Sequence, residues 1–398
     1  MEIKFSPPDI TEAEIAEVVD ALRSGWITTG PKTKKFEKEI ASYCGTTKAV
    51  CLNSATAGLE LILRVLGVGP GDEVITSAYT YTASASVIAH VGAKMVLCDV
   101  QKHGVEMDYD RLENLVTERT KAIIPVDIAG IMCDYDRIFA IVERKKSLFR
   151  PAGDMQQTLG RIAVVADAAH SFGAVRKGKK SGNIADFSSF SFHAVKNLTT
   201  AEGGAVTWRP REDFDDEDLY RRFMLLSLHG QSKDALAKTK LGAWEYDIVT
   251  LGYKCNMTDV VAGIGLAQLA RYDGLLARRK AIMRRYREAL EPIGVRFLSH
   301  EGTDFCGSHH LCIVRLPGYD EQKRNAFIEN MAKRGVATNV HYKPLPMHTA
   351  YKAIGFSIED YPNAYDFYKN EVTLPLHTLL SDEEAEYVVA CVKECYVE

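Results

Sequence analysis

The sequence predicts an α/β protein, with a mostly parallel seven-stranded sheet in a large domain and a smaller C-terminal α+β domain. Three observations predict it. Short apolar runs at 49–52, 73–76, 95–98, 122–126, 162–166, 187–191 and 205–208 alternate with helical segments, the pattern of strands joined by crossover helices. At 398 residues the chain is long enough for one large core and a second, smaller one. From about 272 a charged helix (278–290) leads into a new strand (311–315) and further helices, which divides the chain into 1–271 and 272–398.

Individual elements follow from local chemistry. Thr11-Glu12-Ala13-Glu14 is a capping box, Ile15, Val18, Val19 and Leu22 form the apolar stripe of the helix it opens, and Gly25 ends that helix. Segment 145–160 has little periodicity and is expected to be a long surface connection leading to the strand that delivers Asp167. Lys177, Lys179 and Lys180 are interrupted by glycine and read as a solvated turn.

Composition excludes several classes. A net charge of -4 and a pI near 6.3 do not suit a nucleic-acid surface. The nine cysteines are odd in number, form no C-x-x-C pair and lack zinc spacing, so no metal site is expected. Cys51 and Cys98 lie in strand-like runs, and Cys391 and Cys395 are expected as helical core thiols. Such usage fits a reducing, cytoplasmic setting. No apolar stretch reaches 18 residues and the first residues carry no signal-like apolar region, so no membrane insertion is expected.

The chemistry centres on Lys196, in Ser191-Phe192-His193-Ala194-Val195-Lys196-Asn197, and on the earlier Asp167-Ala168-Ala169-His170. A lysine amine forms a Schiff base with the aldehyde of pyridoxal phosphate (PLP), and an aspartate against the pyridine nitrogen keeps the ring able to accept electrons. The pair therefore points to a PLP enzyme acting on amino groups, against the alternative of an ordinary surface lysine. A free lysine ionises near pKa ~10.4, so such a site must favour the neutral amine. Asp167 could instead cap a helix beginning at Ala168-Ala169. His170 could reach the cofactor's phenolic oxygen or serve as a structural histidine. Asn53-Ser54-Ala55-Thr56-Ala57-Gly58 precedes an apolar helix, and a helix N-terminus there would cradle a phosphate with the Ser191 hydroxyl, or form a simple capped helix. In Ser77-Ala78-Tyr79-Thr80-Tyr81-Thr82, Tyr81 could lie over the pyridine ring, or the tyrosines could pack inside. Asp167, Ser191 and the 53–56 loop all fall at strand ends, where ligands collect in such sheets.

Together these stretches resemble the DegT/DnrJ/StrS sugar-nucleotide aminotransferases, PLP-dependent transferases of fold type I. Further likeness lies in Gly25-Trp26-Ile27-Thr28-Thr29-Gly30-Pro31, Gly69-Pro70-Gly71-Asp72-Glu73-Val74-Ile75, Glu202-Gly203-Gly204 and Gly265-Leu266-Ala267-Gln268-Leu269, and it covers nearly the whole chain. The resemblance implies that Lys196 is the Schiff-base lysine and proton shuttle, and that Asp167 pairs with the pyridine nitrogen. His170 would lie near the ring oxygen and Tyr81 against the ring, while Thr56, Ala57 and Ser191 hold the phosphate. It implies a homodimer in which one residue of Gly252-Tyr253-Lys254-Cys255-Asn256 reaches the partner's cofactor phosphate. Many members have Asn where this chain has Lys254, so that residue is Lys254 or Asn256. Thr28, His341 and Tyr342 are the implied sugar-nucleotide contacts. The implied substrates are L-glutamate and a nucleotide-linked keto-sugar, with amination at C4 of a UDP-linked sugar, as in the members that form UDP-4-amino-4-deoxy-L-arabinose. The product would enter lipopolysaccharide or another cell-surface glycan. Related dehydratases carry histidine in place of the catalytic lysine, so Lys196 argues against that chemistry. The same residues would also suit a different fold type I PLP enzyme, or a binding protein that keeps a relic cofactor site.

Overall fold

Alternate residues of the predicted strands face opposite sides of one sheet. Val74, Ile124, Val165 and Phe187 enter one hydrophobic core, and Ile75, Ile123, Val164 and Phe190 enter the other. This is the two-residue period of strands covered on both faces. The computed structural model describes residues 1–232 and 245–397; Glu398, the last residue of the predicted second domain, lies outside them.

The strands are β1 (Ala49–Leu52), β2 (Glu73–Ser77), β3 (Lys94–Cys98), β4 (Thr120–Ile124), β5 (Ala163–Asp167), the short pair β6 (Val175–Arg176) and β7 (Lys179–Lys180), β8 (Phe187–Ser191) and β9 (Gly204–Trp208). Seven of them form the main sheet in the order β1-β9-β8-β5-β4-β2-β3. Only β9 runs antiparallel to its neighbours. Lys177 and Gly178 both have positive φ, as a tight turn between β6 and β7 requires.

Segment 145–160 corrects the expectation of an irregular connection. It contains the helix Asp154–Leu159, whose Met155 and Leu159 are buried in the core beside β5, and Gln156 Nε2 donates to the Leu66 carbonyl at 2.9 Å. Six residues between Gly153 and Gly160 are too few for a helical period to stand out in the sequence.

The capping box at Thr11 forms as predicted. The Thr11 amide donates to Glu14 Oε2 at 2.6 Å, and Gly25 closes the helix Glu12–Ser24 at φ 76°. Its apolar stripe, however, does not enter a core of this chain. Glu14 and Ala21 are the buried residues, facing the helix Asp259–Ala270, whereas Ile15 and Leu22 are exposed. Ile10, Ile15, Val18 and Val19 line an apolar groove with Ala201 and Ile264.

The C-terminal region adds β10 (Arg296–Phe297), β11 (Phe305–Cys306), β12 (Cys312–Arg315) and β13 (Glu371–Leu374). β10, β12 and β13 form an antiparallel sheet, and β11 pairs with β6. The helix Tyr272–Leu290 reaches two cores. Tyr272 and Leu275 pack in the large core, while Ile282, Met283, Tyr286 and Leu290 pack in the C-terminal one. Ile3 also belongs to the C-terminal core, bridging to Val336. All nine cysteines are free thiols, and all but Cys306 are buried.

Candidate active site

The carboxyl ends of β5 and β8 and the loop after β2 open into one cavity of about 390 Å³. Thr56, Tyr81, Asp167, His170, Ser191, Lys196, His341 and Tyr342 all line it. Sequence reasoning named these eight from separate segments, and the parallel pairing of β5 with β8, Asp167 opposite Ser189, brings the Asp167–His170 stretch beside that of Ser191 and Lys196.

Lys196 Nζ has no hydrogen-bond partner among the described residues, and only its backbone amide is engaged, with the His193 carbonyl. Burial of the amine lowers its pKa to about 8, against the opposing pull of Asp167. Asp167 is itself pushed upward by burial. Ser84 Oγ donating to Oδ2 at 2.6 Å, the Ala169 amide donating to Oδ1 at 3.2 Å, and the charge of Lys196 all resist that shift.

The tautomer of His170 follows from its partners. The Ala129 amide donates to Nδ1 at 3.2 Å, so the ring proton sits on Nε2 and is donated to the Tyr342 hydroxyl at 3.2 Å. Burial, with Lys196 and His341 close by, holds the imidazole pKa well below its ordinary value, so His170 is neutral. Behind it the His310 ring packs at 4.5 Å between centroids.

The first turn of the helix Ala55–Val65 faces the cavity. Ser54 caps it, accepting the Ala57 amide at 3.1 Å, which leaves the Ala55 and Thr56 amides without an acceptor among the described residues. The free donors at this helix end are thus those of Ala55 and Thr56, one position earlier than the predicted pair. Gly204 permits the arrangement. A Cβ there would lie 2.4 Å from Ser54 C, 2.5 Å from Ala55 N and 2.7 Å from the Phe190 carbonyl oxygen, all backbone atoms. Tyr81 stands at the rim, largely exposed, with its ring 5.9 Å from that of Tyr342.

Four predicted residues do not line this cavity: Ala57, whose amide is taken by Ser54, and Thr28, Lys254 and Asn256. Thr28 is exposed, and its carbonyl accepts the Asp259 amide at 3.0 Å. Lys254 donates to Asn256 Oδ1, and Asn256 Nδ2 donates to Thr29 Oγ1 at 2.6 Å.

Sequence reasoning missed Ser84, Glu371 and Thr373. Glu371 Oε2 accepts the His341 amide at 3.0 Å, Thr373 Oγ1 donates to Glu371 Oε1 at 2.7 Å, and His341 Nδ1 lies 2.9 Å from Thr373 Oγ1. No local pattern marks them: Ser84 shares the helix Ala83–His90 with Ser86 and His90, and Glu371 and Thr373 alternate with Val372 and Leu374 in β13. Among the described residues no cluster of histidine, cysteine, aspartate and glutamate could hold a metal ion, and no helix is long and apolar enough to cross a membrane.

Against known proteins, the model of the DegT/DnrJ/EryC1/StrS aminotransferase family matches residues 8–393. The chain belongs to that family. The fold agrees with that of Spr1654 of Streptococcus pneumoniae, assigned as a sugar aminotransferase and solved in a pyridoxamine phosphate (PMP) form. The TM-score is 0.97 at 58% identity, over 100% of this chain and 99% of that one. The PLP form of Spr1654 gives the same TM-score. The spore coat polysaccharide biosynthesis protein SpsC of Bacillus subtilis is 38% identical over 98% of this chain and 96% of its own. PseC of Helicobacter pylori, an aminotransferase of pseudoaminic acid biosynthesis, superposes at a TM-score of 0.85 with 26% identity over the whole of both chains. This DegT-family member is therefore a PLP-dependent aminotransferase. The residues present suit the cofactor: an unpaired, half-buried amine, a buried carboxylate and two free helix amides line one cavity.

Proposed function

We propose that this enzyme moves the amino group of L-glutamate to C4 of a UDP-linked keto-sugar, for a cell-surface polysaccharide such as lipopolysaccharide. The observation that carries the reading is the Lys196 amine, free of hydrogen bonds and facing the same cavity as Asp167. Sugar chemistry is supported by the likeness to Spr1654, SpsC and PseC.

In this reading Lys196 would hold the cofactor covalently, and its amine would take and return the substrate proton as general base and acid in turn. Its lowered pKa leaves a large neutral fraction near pH 8. Asp167 would face the pyridine nitrogen, and His170, with its proton on Nε2, would lie beside the ring oxygen. Thr56, Ala57 and Ser191 form the phosphate cup, with the Ala55 and Thr56 amides as free donors. Tyr81 would cover one ring face; His341 and Tyr342, which line the same cavity, would contact the sugar nucleotide, and Thr28, outside the cavity of its own chain, would do so from across the proposed dimer. Bound PLP supplies the electron sink that makes the α-proton of the amino donor removable.

The proposed assembly is a cytoplasmic homodimer in which Lys254 or Asn256 reaches the partner's phosphate cup. The apolar groove beside Ile15 and Val19 and the exposed Ile248, Val249, Leu251 and Tyr253 support a partner surface there.

The test is an absorbance spectrum of the holoenzyme before and after L-glutamate, followed by UDP-linked 4-keto-sugar. Conversion of the PLP band to a PMP band and its return with the sugar is the expected result. A band that ignores glutamate overturns the donor, and a PMP band that no keto-sugar reverses overturns the acceptor. Lys196→Ala should abolish the protein-linked PLP band.

A further inference from the structure

Ser84 lies on the helix Ala83–His90, beside the buried apolar residues Ala85, Val87 and Ile88, and is itself fully buried. A hydroxyl in such a place needs partners, because an unpaired buried polar group is costly. Its partners are specific. Ser84 Oγ donates to Asp167 Oδ2 at 2.6 Å, the short range of a hydroxyl–carboxylate bond. Thr80 Oγ1 lies 2.8 Å from Ser84 Oγ. Serine has one hydroxyl proton, and Asp167 takes it, so the proton between the two hydroxyls comes from Thr80. Thr80 is buried as well and lines the cavity.

We propose that Ser84, backed by Thr80, is a positioning residue that fixes the orientation and negative charge of the Asp167 carboxylate. This rests on the reading of Asp167 as the group facing the pyridine nitrogen. The relay satisfies Oδ2 from the side of the helix, while the Ala169 amide satisfies Oδ1 at 3.2 Å from the chain just after β5. One donor on each oxygen fixes the plane of the carboxylate and leaves further lone pairs free to accept the pyridinium proton. Burial drives Asp167 toward its neutral form, and only donors to the charged form counter this from within the protein, with Lys196.

The experiment uses the full-length holoenzyme with Ser84→Ala, Ser84→Thr, Thr80→Val and Asp167→Asn. For each variant PLP affinity is measured by absorbance titration, and the rate of the half-reaction with L-glutamate is followed against pH. Ser84→Ala should slow that half-reaction about tenfold, the loss expected for one hydrogen bond to a charged group. It should also move the acid limb of the profile to higher pH, because a donor to the ionised form is gone. Ser84→Thr should restore both, and Thr80→Val should give a smaller shift in the same direction. A wild-type rate and limb in Ser84→Ala, with Asp167→Asn impaired, overturns the proposal and leaves the reading of Asp167 intact. A loss that Ser84→Thr does not restore overturns it in favour of packing. If Ser84→Ala does not fold, an unshifted limb in Thr80→Val overturns the relay. Wild-type PLP affinity and rate in Asp167→Asn would remove the reading of Asp167 itself.

Discussion

His170 donates through Nε2 to the Tyr342 hydroxyl at 3.2 Å because its Nδ1 is already taken by the Ala129 amide. The bond joins a residue from the end of β5 to one from the C-terminal region, so both parts of the chain contribute to one side of the cavity. Ala129 holds its amide in place from a left-handed backbone conformation, φ 59°. Tyr342→Phe removes the acceptor and leaves the His170 N–H without a partner. The expected result is a fall of about tenfold in kcat/KM for the sugar half-reaction, with PLP affinity changed less than twofold, read by single-turnover kinetics and absorbance titration.

His170 should be silent in pH profiles. Burial holds its pKa well below the ordinary histidine value, so it stays neutral where a free histidine titrates and gives no limb there. An NMR titration of the labelled imidazole should show no protonation step in that window.

Lys196 should set the pH dependence of cofactor capture. Only the neutral amine attacks an aldehyde, and its pKa is lowered to about 8. The rate at which apoprotein takes up PLP should rise about tenfold per pH unit below that value and level off above it. A stopped-flow absorbance series across pH 6 to 10 checks this.

Gly204→Ala should damage the phosphate cup. The added carbon would meet three backbone atoms at 2.7 Å or less, so either the helix Ala55–Val65 or β9 must move. Overpacking of this kind costs about 1–3 kcal/mol. A lower melting temperature together with at least tenfold weaker PLP binding is expected.

Glu371 should make stability depend on pH in the direction opposite to a paired surface carboxylate. Burial raises its pKa to about 8, far above the unfolded value, so the folded protein holds the extra proton between the two. Its contribution is fully present below about pH 4.5 and is lost as pH rises toward 8. Asp127, raised by burial to about 7, adds a contribution of the same sign. Glu371→Gln should therefore flatten the decline in unfolding free energy between pH 5 and 8, as measured by denaturant titration.

The seven strands of the main sheet were legible because most are short apolar runs bounded by polar or glycine residues, as burial on both faces requires; the two-residue β6, β7, β10 and β11, and β13, were not. Asp167 and Ser191 were legible because each ends such a run, and Lys196 because it follows Ser191 within one short segment. Ser84 was not, since its meaning depends on an 83-residue separation from Asp167 that only the folded chain closes. Glu371 and Thr373 were hidden in the same way, on a strand whose register to His341 no local pattern encodes. The stripe on the helix Glu12–Ser24 was legible as apolar, but not as outward-facing. Periodicity gives the face of a helix and says nothing of which chain covers it.

The helix Tyr272–Leu290 sends side chains into two separate cores, and Ile3 ties the first residues of the chain to the second of them. Loosening either core would strip neighbours from the same nineteen-residue rod, so neither half has a route to melt alone. Heating should then produce one calorimetric transition from a chain of two parts. Any swing of the C-terminal part during turnover would have to bend that rod or carry the His170–Tyr342 contact with it.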